Sequence, residues 1–137
     1  MDVVVLIGRV MFVILFLSSA LGHFTQTKAM AGYARAKGVP VPELAVQGSG
    51  LLMLLGSISI LFGIWADLGA LLLLIMLVPT MIMMHAFWKE TEAEATQAET
   101  IQFNKDLALA GACLMLFAFF AHTEELGLTI TGPLFSL

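Results

Sequence analysis

A chain of 137 residues is one domain by length, yet 60% of it is hydrophobic and only 12% is charged, against about a quarter charged in soluble globular domains. So few polar residues cannot cover so much apolar surface, which excludes a soluble globule and places the chain in a lipid bilayer. The net charge of −4 says little about partners and no basic patch suggests nucleic acid, while the single cysteine, Cys113, excludes an internal disulfide, a two-cysteine relay and a four-cysteine metal site.

Residues 3–22 form the first apolar stretch, long enough at about 1.5 Å per residue to cross a hydrocarbon core of about 30 Å. Asp2 in place of leading lysines, and Arg9 within the run, depart from a cleaved signal peptide, so the segment is expected to be retained as a helix. Arg9 lies about 9 Å inside it. Its side chain either snorkels back to the headgroups or pairs with Asp67, or it turns inward toward a ligand. Phe24-Thr25-Gln26-Thr27-Lys28 then leads into helix-forming residues 29–37, which Gly38 ends and Pro40 and Pro42 prevent from continuing. A short interfacial helix is predicted here, with Tyr33 at headgroup depth.

The second stretch, 45–65, opens after Pro42 and Glu43. Glu43 either complements the positive helix end or stands at a cavity mouth, with Gln47 one turn deeper on the same face. Gly48, Gly56 and Gly63 keep to one stripe and predict close helix packing. Only residues 66–68 separate it from the third stretch, 69–88, so the two form an antiparallel hairpin. Pro79 should kink that third helix, with Thr80 back-bonding beside it. His85 sits near its end and is the natural proton carrier of the chain. Residues 90–95 read as a solvated charge run that extends the third helix into water. The fourth stretch, 107–122, is preceded by Asn104, Lys105 and Asp106, which can cap it, pair with Glu43 or meet lipid phosphate.

Four crossings put both termini on one face, the terminal face, and the two longer connections on the other, the loop face. Lys28, Arg35, Lys37, Lys89 and Lys105 all belong to the loop face, so that face is predicted to be cytoplasmic and both termini outside. The predicted architecture is an all-α membrane protein, a four-transmembrane-helix bundle with a short interfacial helix between helices 1 and 2. Glu43, His85 and residues 104–106 come from three helices and converge at one depth. His85 and Glu43 are the candidate catalytic pair, with Arg9, Gln47, Asn104, Lys105 and Asp106 as candidate ligand-binding residues. None of His23, Glu43 and His85 stands i, i+3 or i, i+4 from another, so no metal site and no tightly bound cofactor is predicted.

Several segments in order resemble the DoxX family of small bacterial four-helix membrane proteins. They are Arg9 with Phe-Leu-Ser-Ser-Ala-Leu-Gly at 16–22 and His23, then Gly38-Val39-Pro40-Val41-Pro42 and Gly48-Ser49-Gly50-Leu51. His85-Ala86-Phe87-Trp88 and Phe103-Asn104-Lys105-Asp106-Leu107-Ala108-Leu109-Ala110-Gly111 follow. Many relatives have Lys-Asn where this chain has Lys105-Asp106. The resemblance implies a bundle in the bacterial cytoplasmic membrane and association with thiosulfate:quinone oxidoreduction, oxidative-stress handling or membrane redox complexes. The expected function is a redox-associated subunit that binds a quinone or similar apolar ligand between helices, with a membrane redox partner and self-association as its expected contacts. In that reading His85 and Glu43 handle protons, and Arg9 or Lys105 holds an oxygen anion. The alternative is a non-enzymatic lipid-binding or membrane-complex assembly module. Small-solute transport is disfavoured, because four helices enclose only a narrow interior.

Overall fold

The computed structural model describes residues 1–123 and 125–135. Five α-helices follow one another: α1 (Asp2–Thr25), α2 (Thr27–Ala36), α3 (Pro42–Phe62), α4 (Ala66–Met84) and α5 (Ala93–His122), with a short 3-10 turn at Phe87–Lys89. Four of the helices are long and apolar enough to span a membrane. α1 packs on α3, α3 on α4 and α4 on α5, while α2 lies across α3 on the loop face. The core between them is Val13, Phe16, Met53, Ile60, Leu73, Leu77, Cys113 and Phe120. Leu55, Ile75, Leu114 and Met115 turn outward, which suits a lipid surface rather than water.

The local chemistry explains where each helix stops. Gly38 adopts φ +82°, and the amides of Gly38 and Val39 bond back to the carbonyls of Arg35 and Ala34, each at 3.0 Å, closing α2 with a Schellman motif. Pro42 opens α3 at a position where its missing N–H leaves no gap. The α3–α4 hairpin turns through Gly63 at φ +61° and is closed by Ser59 Oγ, which donates to the carbonyls of Ile64 (2.7 Å) and Trp65 (2.9 Å). Thr80 Oγ1 donates to the Met76 carbonyl at 2.8 Å, the back-bond expected beside Pro79.

The glycine stripe is only partly a packing surface. A methyl at Gly56 would meet the Gly69 carbonyl oxygen at 2.9 Å, so α3 and α4 approach closely there, whereas one at Gly48 would meet nothing within 4 Å. Gly50, off the stripe, is instead pressed against His23 of α1.

Two segments differ from the sequence reading. α4 ends at Met84, and His85 stands just beyond it as the C-cap, so residues 90–95 do not prolong that helix. They turn into α5, which starts at Ala93 and runs 30 residues. That is about 45 Å, longer than a hydrocarbon core of about 30 Å, so the first three turns of α5 project past the membrane on the loop face. The physical reason is helix propensity: Ala93, Glu94, Ala95, Gln97, Ala98 and Glu99 favour helix, while the aromatic turn at 87–89 reverses the chain before them.

On the terminal face the residues after α5 fold back over the α3–α4 turn. The Ile130 amide bonds the carbonyls of Phe62 and Gly63, and Trp65 N–H donates to Thr131 Oγ1 at 2.8 Å. Asp67, with no exposed surface, accepts from the amides of Leu134 (2.9 and 3.0 Å) and Phe135 (2.7 Å). This carboxylate therefore holds Leu134 and Phe135 instead of pairing with Arg9.

Candidate functional site

α2 is short and amphipathic. Ala31 and Ala34 are buried against Val46 of α3, which leaves Tyr33 and Lys37, one turn apart, beside the projecting part of α5. Lys37 Nζ lies 2.7 Å from Glu90 Oε1 and 2.8 Å from Glu99 Oε1, and 5.7 Å from the Tyr33 ring centroid. Tyr33 OH donates to the same Glu99 oxygen at 3.2 Å. The Glu90 and Glu99 carboxylates hold the Lys37 ammonium well above the usual lysine range. Burial, reinforced by the Glu99 charge, raises the Tyr33 phenol above its ordinary value.

Glu99 also reaches His85. His85 Nδ1 lies 2.8 Å from Glu99 Oε2, and Nε2 lies 3.6 Å from Asp106 Oδ2. Glu99 and Asp106 are seven residues apart on α5, two helical turns, so they share a face and stand on either side of the imidazole. The chain positions the ring by ending α4 one residue earlier and by packing the next aromatics onto α5. Phe87 and Trp88 contact Phe103 with ring centroids 5.3 and 5.8 Å apart. A carboxylate on one ring nitrogen fixes the ring's orientation, while the 3.6 Å gap at Nε2 is too long for a hydrogen bond.

Below this network lies a cavity of about 740 Å³ between α2, α3 and α4, closed at one side by His23 of α1. Met30, Val46, Leu52, Met76 and Met84 make its walls apolar, and His23, Tyr33, Ser49, Thr80 and His85 supply polar groups around it. Ser49 and Thr80 donate to their own helix carbonyls, at 3.0 and 2.8 Å, and so keep lone pairs for a ligand. His23 Nδ1 is 2.8 Å from the Ser19 carbonyl. A carbonyl only accepts, so Nδ1 carries the proton and Nε2 is the nitrogen left to meet a ligand.

The residues singled out from sequence fall into three groups. His85 and Asp106 come together. Lys105 approaches Asp106 at 3.6 Å but is 48% exposed and donates to Gln102 at 2.6 Å; Glu43, Gln47 and Asn104 are exposed and stand outside the network. Glu43 and His85 therefore do not form a pair. Arg9 is buried on the terminal face, with Nη2 on the Leu128 carbonyl at 2.6 Å.

Lys37, Glu90, Glu99, Tyr33 and His23 complete the site without having been singled out for it. Among the described residues no three His, Cys, Asp or Glu side chains are placed to hold a metal ion. A signal for Glu99 was present: Glu99, Phe103, Asp106, Ala110 and Cys113 recur at steps of four and three, one continuous helix face reaching the core.

No curated protein and no solved structure matches the chain. The DoxX family model matches residues 4–86, which is α1 through His85 and the whole lining of the cavity. With four apolar spanning helices and a match over more than half its length, the chain belongs to the DoxX family.

Proposed function

We propose that the chain binds a quinone, or a similar apolar ligand with a polar head, in the cavity between α2, α3 and α4, as a redox-associated membrane subunit. The observation that carries this reading is the cavity itself: about 740 Å³, walled by methionine and aliphatic side chains, with two histidines and a tyrosine on its lining. That volume lies within the range of small-molecule pockets, about 300–1,000 Å³, and the mix of apolar walls and few polar groups is typical of them. The hydroxyl of a quinol-type head would donate to His23 Nε2 or to the Ser49 and Thr80 oxygens, and its tail would lie along Met76 and Ile75.

Reduction of a quinone to a quinol consumes two electrons and two protons. In this reading the electrons come from a membrane redox partner. The chain's own contribution is the proton path: His85 at the cavity, then Glu99, then the loop-face water reached past Lys37 and Glu90. The same reading sets the loop face, with its lysines and Arg35, on the cytoplasmic side of a bacterial inner membrane.

The test is binding of a short-tail quinone to the detergent-purified chain, followed by thermal shift and by extraction of co-purified quinone. Binding that weakens in His23→Ala and His85→Gln supports the proposal. If no quinone is extracted and none raises the melting temperature, the proposal fails. One observation favours a second reading, a lipid-binding or assembly module: Ile75 and Pro79 line the cavity and are also exposed on the outer surface, an entry for an acyl chain. Retention of phospholipid in the cavity, undisplaced by quinone, would select that reading.

A further inference from the structure

On the terminal face, far from the His85 network, one cation lacks acceptors. Arg9 is 3% exposed and makes one hydrogen bond, from Nη2 to the Leu128 carbonyl at 2.6 Å. Its Nε and Nη1 are buried with no partner among the described residues. Those two nitrogens carry three N–H groups, and a guanidinium does not shed its charge to escape burial. An ionisable side chain held at membrane depth is a functional group by default, and among the described residues no acceptor satisfies the rest of this one.

Two hollows meet at this guanidinium. One, of about 380 Å³, is a groove between α1 and α5, with Gly8 and Phe12 on one wall, Met115 and Phe119 on the other and Ile60 at its floor. The second, of about 470 Å³, lies between Leu6, Phe62 and Thr129. Arg9 lines both, and among the described residues neither lining contains an acidic side chain.

We propose that Arg9 is the recognition group of a second ligand site, separate from the loop-face cavity, that takes an amphiphilic oxyanion: a phosphate monoester or carboxylate on an apolar chain. The oxyanion supplies acceptors to the free N–H groups in charge-assisted bonds. The apolar groove between α1 and α5 takes the chain. Without an acid in either lining, an attached ammonium would be buried unpaired, so zwitterionic headgroups do not fit. The depth of Arg9 in α1 means that the ligand arrives from the bilayer rather than from water.

The test uses the full chain in phosphatidylcholine nanodiscs with dodecyl phosphate as probe, read by native mass spectrometry and titration calorimetry. The expected result is one dodecyl phosphate per chain, no binding of dodecanol and no displacement by inorganic phosphate. Arg9→Met should weaken binding by at least about tenfold, the loss of a charge-assisted bond. Gly8→Leu should do the same while leaving Arg9 in place, because a Cβ at Gly8 meets no atom within 4 Å and the longer side chain grows into the groove. Arg9→Met removes an unpaired buried charge, so the bundle tolerates it. Equal binding by Arg9→Met, equal binding of dodecanol, displacement by inorganic phosphate, or no binding to the wild-type chain each overturns the proposal.

Discussion

Glu99→Gln strikes the centre of the loop-face network, because it removes the charge and keeps the side-chain length. Glu99 accepts from His85 Nδ1 at 2.8 Å, Lys37 Nζ at 2.8 Å and Tyr33 OH at 3.2 Å. Hydrogen bonds to charged groups contribute about 1.5–3 kcal/mol each, but the three are not equal here. Lys37 retains Glu90 at 2.7 Å, and Tyr33 is half exposed with the longest of the bonds. The loss is therefore dominated by His85 and amounts to about 2 kcal/mol. For a chain of this size that is a fall in melting temperature of roughly 6–8 °C. Cys113 is the sole thiol and is fully buried, so a thiol-reactive fluorophore reports unfolding directly. Glu43→Gln, at an exposed position outside the network, should stay within about 0.5 kcal/mol of wild type. A double-mutant cycle with His85→Gln should return a coupling above about 0.5 kcal/mol. If Glu99→Gln shifts melting no more than Glu43→Gln, or the cycle is additive, the His85–Glu99 contact is not the energetic centre of the network.

The Lys37 ammonium is held up by Glu90 and Glu99, so its stabilising effect is complete below the ordinary lysine value of 10.5 and is lost as pH rises through the raised folded value. Wild type should therefore melt higher than Lys37→Met at neutral pH, with the gap closing only in strong alkali. Gly56→Ala should cost about 1–3 kcal/mol by pushing α3 from α4 at a 2.9 Å contact, whereas Gly48→Ala, facing open space, should be neutral or slightly stabilising in the same melting assay. In a Cys113→Ser background, Gly132→Cys should react with an impermeant maleimide on intact cells and Thr91→Cys should react only after lysis; the opposite pattern would reverse the proposed orientation.

The four spans were legible because apolar runs of this length have one physical meaning, and Gly38 with Pro40 and Pro42 marked the end of α2 equally well. The site was half legible. His85 and Asp106 stand out in the sequence as ionisable groups at membrane depth, but the carboxylate on His85 is Glu99 rather than the Glu43 expected beside it. Glu99 escapes notice because hydropathy stops at the membrane surface, while α5 does not. Its first turns leave the bilayer as a helix, and helical phase carries Glu99 onto the face of Phe103 and Asp106. A window of hydrophobicity cannot register that; a window of period does. The Asp67 contact was out of reach for a different reason, since a carboxylate binding the amides of Leu134 and Phe135 depends on where an irregular segment settles.

The division of the site along the chain bears on how its parts act. Every residue lining the loop-face cavity, from His23 to His85, falls within the stretch matched by the DoxX model, residues 4–86. The carboxylates that address His85 lie beyond it, on α5. The pocket and the carboxylates that address His85 are thus carried by different segments, with Glu99 bridging His85 after α4 and Lys37 after α2. Lys37 and Tyr33 sit at the end of the helix that roofs the cavity. In the proposed reading, protonation of Glu99 would weaken its contacts to Lys37, Tyr33 and His85 together, which would couple ligand access to proton movement through that carboxylate.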